Sequence, residues 1–409
     1  MPEGPLSGIT VVECSIWMLG PLAGVMLGDL GADVIKIENP HSPDGSRNLV
    51  SVAAWDLELP GGKSSMFEAA NRNKRGVGID LKADGGPELI KELARDADVF
   101  LENFRPGALA RLGLGYEELK KVNPRIIYGR ASGHGFKGPE FGRPAIDGLG
   151  QSRSGLMWQN GRAGDPPNWN TIAMADVMGA NMLAYGVVTA LAARERTGLG
   201  QQVEISHIMA SIWLQYWAVS ACMLRDLPEW ARFDRDNAAN PLYNLYRCSD
   251  SEWIFIGCVN AERDWLPLCR ALDMDPAVRD DPRFQTFEGI RTHNTELIRI
   301  LERQFATRPR AVWENRLREE PDLVFDRVQR IRDLPNDPAV QANDYLVEVD
   351  NPAYGKRFLP NHPVAFSETP ASIRRPPPGV GEHTAEVLRE RLGFDDERIA
   401  ELVINGVIG

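Results

Sequence analysis

The stretch GITVVECSIWMLGPLAGVMLGDLGADVIKIENP, residues 8–40, decides the fold. It opens with a short β-branched run, ITVVECS from Ile9, passes through a glycine-punctuated apolar segment, GPLAGVMLGDLG from Gly20, and closes with a second run, ADVIKIE from Ala32. Strand, helix and strand at this spacing make a βαβ unit, whose crossover leaves the two strands parallel. The same alternation continues outward through VGIDL at Val77, DVFLENF at Asp98, RIIYGRAS at Arg125 and QVEISH at Gln202, with GGPELIKELARDA as an intervening helix. The expected class is α/β: a Rossmann-like large domain with a parallel sheet covered on both faces.

Beyond this half, a long aromatic helix is expected over His207–Leu224, followed by a polar linker, RDLPEWARFDRDNAANP. A smaller α+β domain follows from about Tyr243, with WIFIGCV as a strand and DWLPLCRAL and NTELIRILERQF as helices. The proline-rich SETPASIRRPPPGVGEHT leads into terminal helices TAEVLRERL and DERIAELVING. The expected domains are 1–225, the large catalytic part; 226–330, the small domain with its linkers; and 331–409, a return to the large domain.

A chain of 409 residues that is 43% hydrophobic and 25% charged can bury a large core. Its net charge of -11, with basic residues scattered rather than blocked, excludes nucleic acid and anionic membrane as expected partners. Cys14, Cys222, Cys248, Cys258 and Cys269 are odd in number and widely spaced, which points to reduced thiols in a cytoplasm rather than a disulfide framework or a zinc site. The N-terminus lacks a basic region followed by an apolar run. The longest apolar candidate, Val177–Ala193, is interrupted by Gly179, Asn181 and Gly186 and reads as a buried core helix rather than a membrane span.

Two motifs invite a nucleotide reading, and a third position invites a catalytic one. GGKSS at Gly61 resembles a P-loop tail, but the full motif requires glycine where Leu57 stands. Gly133, Gly135 and Gly138 satisfy GxGxxG after a strand, yet Pro139 and Pro144 oppose the helix that a dinucleotide site must open. Asp176, at the start of the apolar helix segment ADVMGANMLAYGVVTALAARERTGLGQ, reads from position alone as a helix cap. The competing reading is a carboxylate nucleophile that attacks a thioester.

Taken in order, GPLAGVMLGDLGADVIKIE, NRNKRGVGIDLK, ENFRPGALARLGLGYEEL, NPRIIYGRASGHGFKGP, the ADVMGA to ARERTGLGQ segment, DPRFQTFEGIRTH and GVGEHTAEVLRERLGF resemble the class III CoA-transferase family, the group of formyl-CoA and carnitine CoA-transferases that includes the 2-methylacyl-CoA racemases. The resemblance covers nearly the whole chain. It implies that Asp176 is the catalytic aspartate, and that Ile79, Lys82, Asn103, Phe104, Arg105, Ala108 and Arg111 contact CoA, with Met18 beside them where formyl-CoA transferase has glutamine. Lys82, Arg105 and Arg111 suit the phosphates; Phe104 and Ile79 suit the adenine. The resemblance further implies CoA and acyl-CoA as substrates with no tightly bound cofactor or metal, and an interlocked homodimer or a heterodimer with a paralogue.

Departures from the family pattern sort its branches. The racemase histidine is replaced by Ile146 before Asp147, and the racemase acid of the small domain by Asn260, so CoA transfer is expected over an α-carbon racemase. An inactive subunit of a heteromeric transferase is the non-enzymatic alternative, against which Asp176 itself stands. Asn39 replaces an arginine of formyl-CoA transferase, and NAANPLYNLYRC lacks that enzyme's glycine-rich loop, so an acid bulkier than formate or oxalate is expected. Trp17, Trp55, Trp158, Trp169, Trp213 and Trp217 either line a pocket for that acid or pack in the core or a dimer. Gly133, His134 and Gly135 are candidates for touching substrate or for supplying backbone N–H groups to an oxyanion; His134 has structural packing as its alternative.

Overall fold

The computed structural model describes residues 4–52 and 55–409, so the first three residues of the N-terminal reading lie outside it. Among the described residues, β1 (Thr10–Cys14), β2 (Asp33–Glu38), β3 (Lys74–Gly78), β4 (Val99–Glu102), β5 (Ile127–Ser132) and β6 (Gln202–Ser206) form one sheet in the order β6-β5-β4-β1-β2-β3. All its strand pairs are parallel. The opening 33-residue stretch folds as its pattern dictates, with α1 (Leu19–Asp29) as the crossover between β1 and β2.

The chain lays β2 and β3 on one side of β1, then returns to lay β4, β5 and β6 on the other. The strand order therefore reverses between β1 and β4. In open parallel sheets, ligands bind outside the carboxyl ends of the strands at such a switch point.

One strand departs from expectation. Val77–Leu81 reads as the strand, but the paired residues are Lys74–Gly78, two of them charged. Burial of those charges is made possible by partners: Lys74 Nζ lies 2.9 Å from Glu13 Oε2 and donates to the carbonyls of Pro21 and Ala70, and Arg75 pairs with Asp33. Gly24 of α1 leaves room for this cluster, since a Cβ there would fall 1.9 Å from Glu13 Oε2.

Apolar layers cover both faces of the sheet. On one, Leu89, Ile90 and Leu93 of α2 (Gly86–Arg95) pack with Val387, Leu388 and Leu402 against Val12, Ile35 and Phe100. On the other, α1 packs with the long helix α4 (Met174–Thr197), which supplies Ala180, Leu183, Ala184 and Val187; α3 (Asp147–Arg153) precedes it. Gly179 permits the close approach of α4 to α1, because a Cβ there would sit 2.5 Å from Leu19 Cδ1. By length and composition alone α4 is long and apolar enough to cross a membrane, contrary to the sequence expectation, yet its buried face packs as a core helix of this layer. The expected single helix His207–Leu224 breaks at Gln215 into α5 (His207–Leu214) and α6 (Tyr216–Arg225).

The chain divides into two compact units. The larger holds residues up to Trp158, Asn168–Trp230 and Gln341–Gly409; the smaller holds Gln159–Pro167 and Ala231–Val340. The smaller unit is an antiparallel sheet, β7 (Tyr243–Arg247), β8 (Trp253–Gly257) and β9 (Phe325–Val328), packed by α7 (Ala261–Leu272), α8 (Asn294–Phe305) and α9 (Arg310–Arg318) around Trp265, Phe284, Phe305 and Trp313. The excursion Gln159–Pro167 has no counterpart among the sequence boundaries. It is tied to this unit by Arg162, paired with Asp234 and Asp236, and by Arg232, which donates to the Arg162 carbonyl at 3.2 Å.

Candidate active site

Parallel strands end on one edge, so the loops after them gather the residues singled out by sequence: Met18 after β1, Lys82 after β3, Asn103 to Arg105 after β4 and Gly133 to Gly135 after β5. Asn103 stands at the switch point. Its Oδ1 accepts the Ile16 amide at 2.9 Å and its Nδ2 donates to the Ile16 carbonyl at 2.6 Å, stitching the exit of β4 to that of β1. Its side-chain amide is thus engaged with backbone, and its role in the fold is to hold the crevice together. Met18, half-buried, begins α1, its carbonyl accepting from the Leu22 amide.

The β1 exit is fixed from below by buried charges. Lys36 Nζ donates to the Ser15 carbonyl at 2.8 Å and pairs with Asp44 at 3.1 Å, and Asp44 Oδ1 accepts the Trp17 amide at 3.0 Å. Burial works against the Lys36 charge, but Glu13, Asp44 and Glu38 outweigh it and raise its pKa. These contacts hold Trp17 at a φ of 67°, a left-handed conformation unusual for a bulky residue.

The other expected CoA contacts differ in what they present. Ile79 is fully buried in the core, bridges Ile408 and donates its amide to the Glu38 carbonyl at 2.8 Å, so its side chain does not present the apolar surface expected for the adenine. Phe104 is half-buried against the same core. Ala108 opens a short helix that ends at Arg111, after Gly107 at a φ of 83°. Lys82, Arg105 and Arg111 are exposed and form no ion pair among the described residues. In a chain with more acids than bases, cations left unpaired beside a ligand crevice are suited to phosphate oxygens.

Asp176 differs from its expected place as a cap. The N-cap of α4 is Ala173, at a φ of 54° and with no side-chain oxygen to offer; Asp176 lies within the first turn. The capping is done from another helix: Asp147 Oδ1 accepts the amides of Ala175 at 2.7 Å and Asp176 at 3.2 Å. Gln151 steadies Asp147 by donating to its Oδ2 at 2.5 Å while bonding both the N–H and C=O of Asn170. With its helix end already satisfied, the Asp176 carboxylate is released from backbone duty.

One oxygen of that carboxylate is held. His207 Nε2 lies 2.8 Å from Asp176 Oδ1, and the two side chains are 11% and 15% exposed. A carboxylate only accepts, so Nε2 carries the proton. Asp176 Oδ2 makes no hydrogen bond among the described residues. His207 is the first residue of α5, directly after β6, and Ser206 caps that helix by accepting the Met209 amide. Gly150 of α3 presses on it: a Cβ there would stand 2.6 Å from His207 Cβ and 2.9 Å from its carbonyl oxygen. The sequence reading placed His207 only as the start of an aromatic helix. Its signal was a histidine at a strand-to-helix junction on the ligand edge.

The glycine loop after β5 opens no helix until α3, in keeping with the proline argument against a dinucleotide site. Gly133 is packed tightly, a Cβ there falling 1.9 Å from Ala145 Cβ, whereas Gly135, at a φ of 96°, faces open space. Both ring nitrogens of His134 are buried without a hydrogen-bond partner among the described residues. Ile146, where racemases have histidine, is 72% exposed. Asn260 caps α7, accepting the Arg263 amide at 3.1 Å.

The six tryptophans are not core. Trp17, Trp158, Trp169, Trp213 and Trp217 are exposed and Trp55 is half-buried. Trp55 packs on Trp169 with ring centroids 5.5 Å apart, and Trp169 lies against α3, 3.5 Å from where a Cβ on Gly148 would stand.

A family model for CoA-transferase family III matches residues 6–384. The chain is 32% identical over 407 residues to a human succinyl-CoA:glutarate CoA-transferase, covering 99% of this chain and 90% of that protein. It is 31% identical over 397 residues to an (R)-2-hydroxy-4-methylpentanoate CoA-transferase from Clostridioides difficile, covering 96% and 97%. The crystal structure of a CAIB/BAIF family protein from Brucella suis superposes with a TM-score of 0.83 at 27% identity, over 95% of this chain and 100% of that one.

Proposed function

The chain belongs to CoA-transferase family III and is a class III CoA-transferase, and from that membership we propose that it moves CoA from a donor such as succinyl-CoA to an acid bulkier than formate or oxalate, through an aspartyl-CoA thioester on Asp176. The observation that carries this reading is the state of Asp176: uncapped by its own side chain, fixed at Oδ1 and free at Oδ2.

Oδ2 attacks the donor carbonyl carbon; its C–S bond breaks, CoA leaves as thiolate, and a mixed anhydride forms. The thiolate attacks Asp176 Cγ, the anhydride C–O bond breaks, and the donor acid leaves as carboxylate. The acceptor carboxylate then attacks Cγ and expels the thiolate, which finally attacks the acceptor carbonyl and restores Asp176. One thioester replaces another and no proton is gained or lost. Lys82, Arg105 and Arg111 bind the CoA phosphates. The Trp55–Trp169 pair beside α3 supports an apolar acyl group.

The exposed apolar side chains Tyr185, Trp213, Tyr216 and Trp217 on α4, α5 and α6 support a further part of this reading, a dimer that covers them. The test of substrate class is incubation with succinyl-CoA and a panel of free acids, read by mass spectrometry. New CoA esters of C4 or larger acids support the reading, and exchange confined to formate and oxalate refutes that acceptor class. A second reading is proton exchange at an acyl α-carbon by the His207–Asp176 pair, which, joined at 2.8 Å, would act from one face of that carbon. Solvent deuterium entering that carbon without any acceptor acid would select it.

A further inference from the structure

We infer that His207 is a catalytic residue of the transfer, the oxyanion donor for the two steps that occur at the carbonyl carbon of Asp176 itself; this rests on the reading of Asp176 as the covalent carrier. Once Oδ2 is acylated, Oδ1 becomes the carbonyl oxygen of the aspartyl anhydride, and in the aspartyl-CoA thioester it remains the carbonyl oxygen. When CoA thiolate attacks Cγ of the anhydride, the π electrons of the Cγ–Oδ1 bond move onto Oδ1, which then carries the full negative charge of the tetrahedral intermediate. The same occurs when the acceptor carboxylate attacks the thioester. In both steps the charge appears on the one oxygen that His207 Nε2–H already faces at 2.8 Å.

The surroundings favour a donor over a base. No step of the transfer moves a proton, so a base at this position has no proton to take. His207 Nδ1 is buried and has no hydrogen-bond partner among the described residues, so no third group orients or charges the ring from behind. An N–H at Nδ1 would be an orphaned buried donor, so the hydrogen is placed on Nε2, facing Asp176 Oδ1. The donor is also held before reaction, by the Ser206 cap at its helix start and the contact of Gly150 on its Cβ. Prepositioned donors in a water-poor site stabilise a developing oxyanion more than the neutral carbonyl that precedes it. In the two outer steps, where Asp176 is attacking or leaving carboxylate, the same bond stabilises the resting carboxylate. His207 therefore speeds the inner steps only.

The test compares His207→Leu, which removes the donor, with His207→Gln, whose amide N–H has about the reach of Nε2, and with Asp176→Ala. Steady-state transfer, thermal midpoints and intact-protein mass after mixing with succinyl-CoA alone are measured for each. The expected result is a fall in kcat of about 10²- to 10³-fold for His207→Leu, with little change in KM and with protein-bound acyl anhydride accumulating ahead of the CoA adduct. His207→Gln should stay within about tenfold of the parent, since it keeps a donor. Transfer by His207→Leu within threefold of the parent, or equal impairment of the Leu and Gln variants with melting points like the parent, overturns the inference. Should Leu not fold, impairment of His207→Gln to the level of Asp176→Ala overturns it as well. Transfer by Asp176→Ala at the parent rate instead sinks the underlying carrier reading, a separate outcome because neither anhydride nor CoA adduct would then form.

Discussion

Asp147 caps the helix of Asp176, its Oδ1 accepting the Asp176 amide at 3.2 Å and the Ala175 amide at 2.7 Å. The Asp176 side chain is thereby spared the capping role its own position would assign it. Removal of the cap by Asp147→Ala is expected to cost about 1–2 kcal/mol in urea unfolding. It should also lower kcat, because the freed N–H groups then draw on the Asp176 carboxylate. Asp147→Asn keeps an acceptor and should be milder in both measurements.

Gly150 and Gly179 both admit close contacts, but to different kinds of atom. A methyl on Gly150 meets the backbone and Cβ of His207, which cannot move without carrying Nε2 away from Asp176. Gly150→Ala should lower kcat more than tenfold on the scale of a lost oxyanion donor. A methyl on Gly179 meets the Leu19 side-chain end, so Gly179→Ala should lose about 1–3 kcal/mol of stability with kcat changed less. Steady-state kinetics beside thermal melts of the two variants separates these outcomes.

The unpaired Lys82, Arg105 and Arg111 predict salt-sensitive binding of the CoA ester. Each change to Gln should raise KM for acyl-CoA by about tenfold, near 1.4 kcal/mol, while leaving KM for the acceptor acid unchanged. The difference between parent and variant should shrink at high ionic strength. Initial rates over a salt series check this.

Glu102 supplies a pH signature. It is buried at the carboxyl end of β4, and burial pushes its pKa up from 4.5 to about 7, against the Phe104 amide, the Arg130 charge and the Tyr128 side chain, which lower it. Below 4.5 the carboxyl is protonated folded or unfolded and costs nothing. As pH rises from there to about 7, only the unfolded chain readily loses the proton, so stability falls through this window and then levels. Glu102→Gln should therefore match the parent near pH 4.5 and exceed it at pH 8 by about 3 kcal/mol. Unfolding free energies across that range would show the gap; a gap that is constant with pH contradicts the assignment.

The fold was legible where its signals were local. The βαβ run from Gly8, the strand WIFIGCV and the helix TAEVLRERL each carry a period or a punctuation that tertiary contacts did not override. The strand at Lys74 was misplaced because its charges are neutralised by Glu13 and Asp33, far away in sequence. The break at Gln215 carries no glycine or proline to announce it. At the site, the motifs singled out Asp176, but they carried no sign of its hydrogen bonding, since the cap comes from Asp147, 29 residues earlier. His207 was missed for the same reason: 31 residues separate it from Asp176, and only the sheet order brings the ends of β6 and α4 together.

The central claim is that Asp176 carries CoA covalently. Its most direct measurement is intact-protein and peptide mass spectrometry after mixing with succinyl-CoA, with and without hydroxylamine. The account predicts a CoA adduct, less one water, on the peptide bearing Asp176, converted by hydroxylamine to a hydroxamate at that residue and absent in Asp176→Ala. An adduct on another residue, or full-rate transfer by Asp176→Ala with no adduct, would contradict it.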